Sequence, residues 1–114
     1  MRGLLIGVLV STFFAVTLSW GSEKEQYDQG KRVFTNNCQI CHGANGKGDG
    51  PASASFTPRP QNFTDPKFWQ QKDIDKLITL TIEDGHGMMP PISLKPNEIK
   101  AVIDYISSAF KPVR

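Results

Sequence analysis

Between residues 22 and 114 the apolar positions fall into runs with helical spacing, and no run alternates convincingly with the two-residue spacing of a strand. In the first run Tyr27, Gly30 and Phe34 share a face with Val33 beside them, and Ser22 followed by Glu25 has the form of a capping box. That pattern predicts a helix over Lys24–Asn37. Gly30 in its middle costs about 1 kcal/mol relative to alanine, which points to close approach by another backbone unless the glycine is merely tolerated. Asp65-Pro66 is an N-cap followed by a first-turn proline and predicts a short helix over Pro66–Gln70. Ile74, Leu77, Ile78 and Ile82 mark one face of a helix from Lys72 to about Asp84, closed by Gly85. The clearest stripe is Ile99, Val102, Ile103, Ile106 and Phe110, with Pro96 at the first helical position and Glu98 at the third. Leu94 and Ile99 form a hydrophobic staple across its start, although Lys95 is a poor capping residue, and the helix should run to about Ala109.

Between the first two helices lies a different composition. From Gly43 to Asn62 the chain reads Gly, Pro, Ser and Lys, as GANGKGDGP and then TPRPQN, without helix or strand period. An irregular segment of this length is uncommon in a small domain unless it surrounds a site. The fold class is therefore all-α, with one long loop.

The chain has 114 residues with 13 basic and 11 acidic side chains, so it holds one small domain at most. A net charge of +2 with intermingled signs gives no basis for binding nucleic acid. Met1-Arg2 is a minimal positive start, Gly3–Leu18 is apolar, and Ser19-Trp20-Gly21 places small residues before Ser22. Residues 1–21 are thus expected to be an export signal cleaved after Gly21, leaving residues 22–114 in the periplasm with a net charge of +1. The alternative is an uncleaved anchor, since Gly3–Trp20 is at the short edge of a membrane span. The remaining residues can build only a thin core, and two cysteines three positions apart close too small a loop to compensate.

Those cysteines carry the strongest signal, Cys38-Gln39-Ile40-Cys41-His42. This spacing presents two sulfurs to the vinyl groups of a porphyrin and puts an imidazole next to the iron. One covalent haem c, held through Cys38 and Cys41 with His42 as proximal ligand, would also supply the missing apolar surface. Three other readings remain: a redox-active CxxC, which lacks its usual βαβ setting; a zinc site from Cys38, Cys41, His42 and His86, in which adjacent Cys41 and His42 are awkward; and a structural disulfide.

A second axial ligand is expected from Gly85-His86-Gly87-Met88-Met89-Pro90-Pro91, where two prolines hold the chain extended after the methionines. Spacing alone does not choose between Met88 and Met89, and His86 competes as an imidazole donor. Arg59 between Pro58 and Pro60 is a candidate for a haem propionate, with Asn62 or Trp69 adding a hydrogen bond; an ordinary exposed arginine is the plainer reading. Met88, Phe56, Phe63, Phe68, Ile74, Leu77, Ile78 and Ile92 are candidates for an apolar wall or for generic core.

With these residues in view, the chain beyond the leader resembles the class I cytochromes c. Gly30, Phe34 and Cys38-Gln39-Ile40-Cys41-His42 resemble the family's first helix and attachment motif, Gly50-Pro51 its Gly-Pro, Met89-Pro90 its Met-Pro, and Ile99–Phe110 with Tyr105 its last helix. The resemblance implies three to five helices wrapped around one haem, a crossing of first and last helices at Gly30 and Phe34, and Met89 as the sulfur ligand. It also implies that Pro51 supplies the carbonyl that accepts the His42 ring proton.

The activity so implied is one-electron transfer by six-coordinate iron with no open site, not catalysis. Partners would be a redox donor and acceptor, such as a membrane oxidase, a reductase or a periplasmic dehydrogenase; Lys47, Lys67, Lys72 and Lys95 could ring the docking edge or simply be solvated. Two alternatives stand beside a free carrier: a permanent electron-transfer subunit of a larger oxidoreductase, and a haem enzyme or gas sensor with a labile Met89 bond.

Overall fold

The computed structural model describes the backbone of residues 4–113 and the side chains of residues 20–113. Among the described residues five helices follow one another: α1 (Leu4–Asn37), α2 (Gln39–His42), α3 (Pro66–Trp69), α4 (Ile74–Asp84) and α5 (Pro96–Phe110), with a 3₁₀ turn at Ser53–Ser55. Among the described residues there is no β-strand, only an isolated bridge between His86 and Met89.

The start of α1 differs from expectation. Ser22 and Glu25 do not cap a helix end, because the helix is already continuous from Leu4. In an unbroken ladder the amides that a cap would serve are bonded to carbonyls one turn back, so Ser22 is an interior residue. The side chains of the expected export leader lie outside the described residues. Among the described residues no helix is long and apolar enough to cross a membrane.

The other helices form close to where their signals put them. In α3 the Asp65 carboxylate accepts from the Lys67 amide at 2.9 Å. Helix α4 starts two residues later than the periodicity suggests, because Asp73 adopts a left-handed conformation (φ 54°) that interrupts helical winding ahead of Ile74. Helix α5 begins with Pro96, and the Glu98 carboxylate accepts from the Lys95 amide at 2.8 Å. That is half of a capping box, since a lysine side chain has no acceptor to complete it. Leu94 and Ile99 both pack into the core, as a staple requires.

Helices α1 and α5 make the main pairing of the fold. Val33 and Phe34 meet Val102, Tyr105 and Ile106, and Phe34 and Val102 are the most deeply buried large side chains. Phe34 packs against Tyr105 and Phe110 with ring centroids 5.5 and 5.2 Å apart, and Tyr27 caps the outer edge of Tyr105 at 5.2 Å. At the rim, the Gln26 amide donates to Asp104, which also pairs with Lys100 at 3.0 Å.

Gly30 sits at this crossing. A Cβ there would run into the Ala101 carbonyl oxygen and stand 2.7 Å from the Tyr105 Cβ, so the main chain of α5 occupies the space a side chain would need. The first and last helices are thus closed by a glycine against a backbone. Gly30→Ala should force them apart and cost about 1–3 kcal/mol by overpacking, lowering the thermal midpoint by on the order of 10 °C. Circular dichroism melts check this, and an unchanged midpoint would contradict the close crossing.

Candidate haem site

Helix α2 is a single turn containing the attachment motif. It follows α1 after a break at Cys38 (φ −120°, ψ −34°), with the His42 amide bonded to the Cys38 carbonyl at 2.9 Å. A turn this short leaves most of its carbonyls without intrahelical donors. The long loop supplies them: Gly48 donates to His42, Gly50 to Cys41 and Ala52 to Ile40, at 2.8, 3.1 and 2.9 Å. Gly50 is required by proximity, because a Cβ there would collide with the Ile40 carbonyl and lie 2.7 Å from that of Gln39. The loop then returns, and the Phe63 amide donates to the Gly46 carbonyl at 2.7 Å.

This return corrects one assignment. His42 Nδ1 lies 3.1 Å from the Gln61 carbonyl, so Gln61 and not Pro51 receives the ring proton. Gly50-Pro51 runs beside Ile40 and Cys41 and leads into the 3₁₀ turn, whereas the stretch ending at Phe63 passes His42. A carbonyl only accepts, so the proton sits on Nδ1 and Nε2 keeps its lone pair for a metal. Burial pushes the His42 pKa below its ordinary value near 6.5, partly opposed by the bond to Gln61, so the ring is neutral at neutral pH.

Both cysteines are half-buried free thiols. Burial, reinforced by Cys41, raises the Cys38 pKa to about 11. Redox-active CxxC motifs have the opposite property, a lowered thiol pKa. The zinc reading finds no support either: among the described residues no three His, Cys, Asp or Glu side chains converge as metal ligands.

On the other side of α4 the chain turns sharply. Gly85 (φ 74°) ends the helix with its amide on the Thr81 carbonyl at 2.9 Å. His86 and Met89 exchange both backbone hydrogen bonds, at 3.0 and 2.9 Å, around Gly87 (φ 55°) at the first central position of a two-residue turn. After Pro90 and Pro91 the Ile92 amide ties the segment back to the Ile82 carbonyl at 2.8 Å. The two methionines therefore differ. Met88 is 55% exposed and its sulfur accepts from the Thr57 amide at 3.4 Å, whereas Met89 is half-buried. His86 is exposed.

One of the outer residues is spent differently from expectation. The Trp69 indole donates to the Phe63 carbonyl at 2.7 Å, so its hydrogen bond is made inside the protein instead of toward a propionate. Asn62 Oδ1 accepts from the Thr64 amide and hydroxyl at 2.9 and 2.7 Å. Arg59, Lys47, Lys67, Lys72 and Lys95 are exposed. Of the proposed wall, Phe63, Phe68 and Ile78 are core, Ile74 and Ile92 pack against it, Phe56 is half-buried, and Leu77 and Met88 are exposed.

The residues present fit a porphyrin. Ile40 (61% exposed), Leu77, Leu80 and Met88 leave apolar surface uncovered by the chain, and two thiols stand beside a neutral imidazole with a free Nε2. Residues 27–110 match the family model described as Cytochrome c. The chain belongs to the cytochrome c family. Membership implies covalent haem c, and Cys38 and Cys41 are this cytochrome's only cysteines, in the CxxCH spacing.

Curated relatives are similar over most of the chain. A cbb3-type cytochrome c oxidase subunit FixP from Bradyrhizobium diazoefficiens is 34% identical over 97 residues, covering 81% of this chain and 31% of that protein. The CcoP subunit from Rubrivivax gelatinosus is 37% identical over 83 residues, covering 69% and 24%. FixP from Azorhizobium caulinodans is 33% identical over 81 residues, covering 68% and 25%. The cytochrome thus spans less than a third of each of these relatives. Together with the family match, they support electron transfer through haem c.

Proposed function

We propose that this cytochrome is a one-electron carrier whose haem is joined to Cys38 and Cys41 and held axially by His42 and Met89. The observation that carries the reading is the His42 geometry: its Nδ1 proton is committed to the Gln61 carbonyl, which leaves Nε2 as a donor beside two free thiols. The haem supplies exchange of one electron between ferric and ferrous iron. Around it the chain's own task is to hold both axial donors in place, so that no bond forms or breaks as the electron passes.

Met89 is favoured over its neighbours for local reasons. The Met88 sulfur is engaged by Thr57 and exposed, and His86 is exposed, while Met89 is half-buried in a turn closed by Gly85 and the two prolines. Burial of the site and a thioether ligand both favour ferrous iron, so the potential should be high for a haem. The apolar leader supports export, with residues 22–114 as the cytochrome domain facing the periplasm, whether free or anchored.

The oxidase subunits among the relatives favour a second reading, in which the same chemistry serves a permanent complex with a membrane oxidase. Size-exclusion of a native extract separates the two: a free carrier elutes at its own mass, and a subunit travels with its enzyme.

The ferric protein should show the weak near-infrared sulfur-to-iron band, and its spectrum should not change on adding carbon monoxide to the ferrous form. Met89→Ala should abolish the band and lower the midpoint by on the order of 0.1 V, within the ~0.8 V range that axial ligands span. Met88→Ala should leave the band in place. Loss of the band in Met88→Ala alone would transfer the role to Met88, and rapid carbon monoxide binding by the native protein would favour a gas-binding or enzymatic site.

A further inference from the structure

Phe63 touches His42 in a way that neither the attachment motif nor the family match assigns. The two rings are nearly parallel, with centroids 4.7 Å apart and planes inclined by 19°. Phe110, the last residue of α5, has its ring centroid 6.4 Å from that of Phe63 with the planes inclined by only 13°. Three nearly parallel rings from three separate parts of the chain thus meet at Phe63, one of them the imidazole. Phe68 presses on Phe63 from the side at 5.4 Å and 59°, without being parallel to it.

Phe63 has no freedom to turn. Its ring is 6% exposed, its amide is bonded to Gly46 and its carbonyl to the Trp69 indole. The Trp69 ring is itself covered by Lys111, whose Nζ lies 5.6 Å from its centroid. Phe110 is equally confined: a Cβ on Gly46 would lie 2.7 Å from its ring, so the backbone of the loop rests directly on that face.

A hydrogen bond from Nδ1 to Gln61 fixes one point of the imidazole but leaves the ring free to swing about the axis through that bond. A flat neighbour at stacking distance removes this freedom. We infer that Phe63, braced by Phe110, is a positioning residue that sets the plane of the His42 imidazole, and with it the orientation of the ligand orbital that overlaps iron. The inference rests on His42 being the proximal ligand. The C-terminal helix then reaches the iron ligand through two aromatic rings.

The orientation of an axial imidazole is read in the ferric protein from the paramagnetically shifted haem methyl resonances, whose order follows the ligand plane. In Phe63→Leu, which removes the flat surface but keeps an apolar side chain, the order of the methyl resonances should change. Phe110→Leu, which removes only the brace, should move the same resonances in the same direction by less, and it carries the test if Phe63→Leu does not retain haem. Phe68→Leu should lower the thermal midpoint by roughly 5–10 °C, as the other two variants should, yet leave the methyl resonances in place.

Unmoved methyl resonances in both Phe63→Leu and Phe110→Leu would overturn the inference, as would an equal movement in Phe68→Leu, because the effect would then be general loosening. His42 ligation is read independently, from hyperfine-shifted imidazole protons of the unsubstituted protein. Their absence overturns the premise, whereas their presence with unmoved methyls overturns the positioning role alone.

Discussion

The structure depends on satisfying the carbonyls of a one-turn helix. A four-residue helix is far below the length that holds itself together in water, and α2 must nevertheless keep two thiols and an imidazole in register. Amides of Gly48, Gly50 and Ala52 reach the carbonyls of His42, Cys41 and Ile40 in antiparallel order, one donor for every second loop residue. Such close approach excludes a side chain at Gly50. Gly50 is thus a consequence of bonding the motif's backbone, whereas at Gly46 and Gly48 the space is taken by the Phe110 ring and the Pro60 carbonyl. The same loop brings back Gln61 and Phe63, the two groups that hold the His42 ring.

What was legible from the sequence follows from the kind of interaction involved. Side-chain patterns announced α3, α4 and α5 and the attachment motif, because each depends on which residue stands where; the crossing at Gly30 came from the family resemblance, its glycine alone pointing only to close approach by another backbone. Backbone partners were not legible, because every residue offers a carbonyl. Nothing in the letters distinguishes Pro51 from Gln61 as acceptor for His42, or says that Trp69 will bond the Phe63 carbonyl. Asp73 was missed for a related reason: its left-handed backbone is imposed by the path between α3 and α4, and aspartate tolerates it without a glycine to mark the place. The capping signal at Ser22 failed in the opposite way, since a real motif has nothing to cap when helix precedes it.

The two sides of the proposed iron site are built with different stiffness. His42 is held by its position in α2, by one hydrogen bond to Gln61 and by the face of Phe63, and these ties come from separate stretches of chain. Met89 depends on a single excursion of the backbone between Gly85 and Ile92, pinned at its ends by the Thr81 and Ile82 carbonyls of the same helix. A perturbation that loosens one axial bond should therefore act on the sulfur first, while the imidazole and the covalent links keep the cofactor in the chain.

That asymmetry also bears on the relation between this cytochrome and the much longer oxidase subunits it resembles. Every residue invoked to hold the haem lies between Cys38 and Phe110, inside the segment matched to the family. Among the described residues, the ties that orient His42 and Met89 are made within that segment. A unit of this kind would keep the proposed ligand geometry whether it diffuses or is joined to other domains, because the ties found around His42 and Met89 are internal to it. The difference between a carrier and a subunit then resides in the surface that meets a partner, and a common haem core is what both would be expected to share.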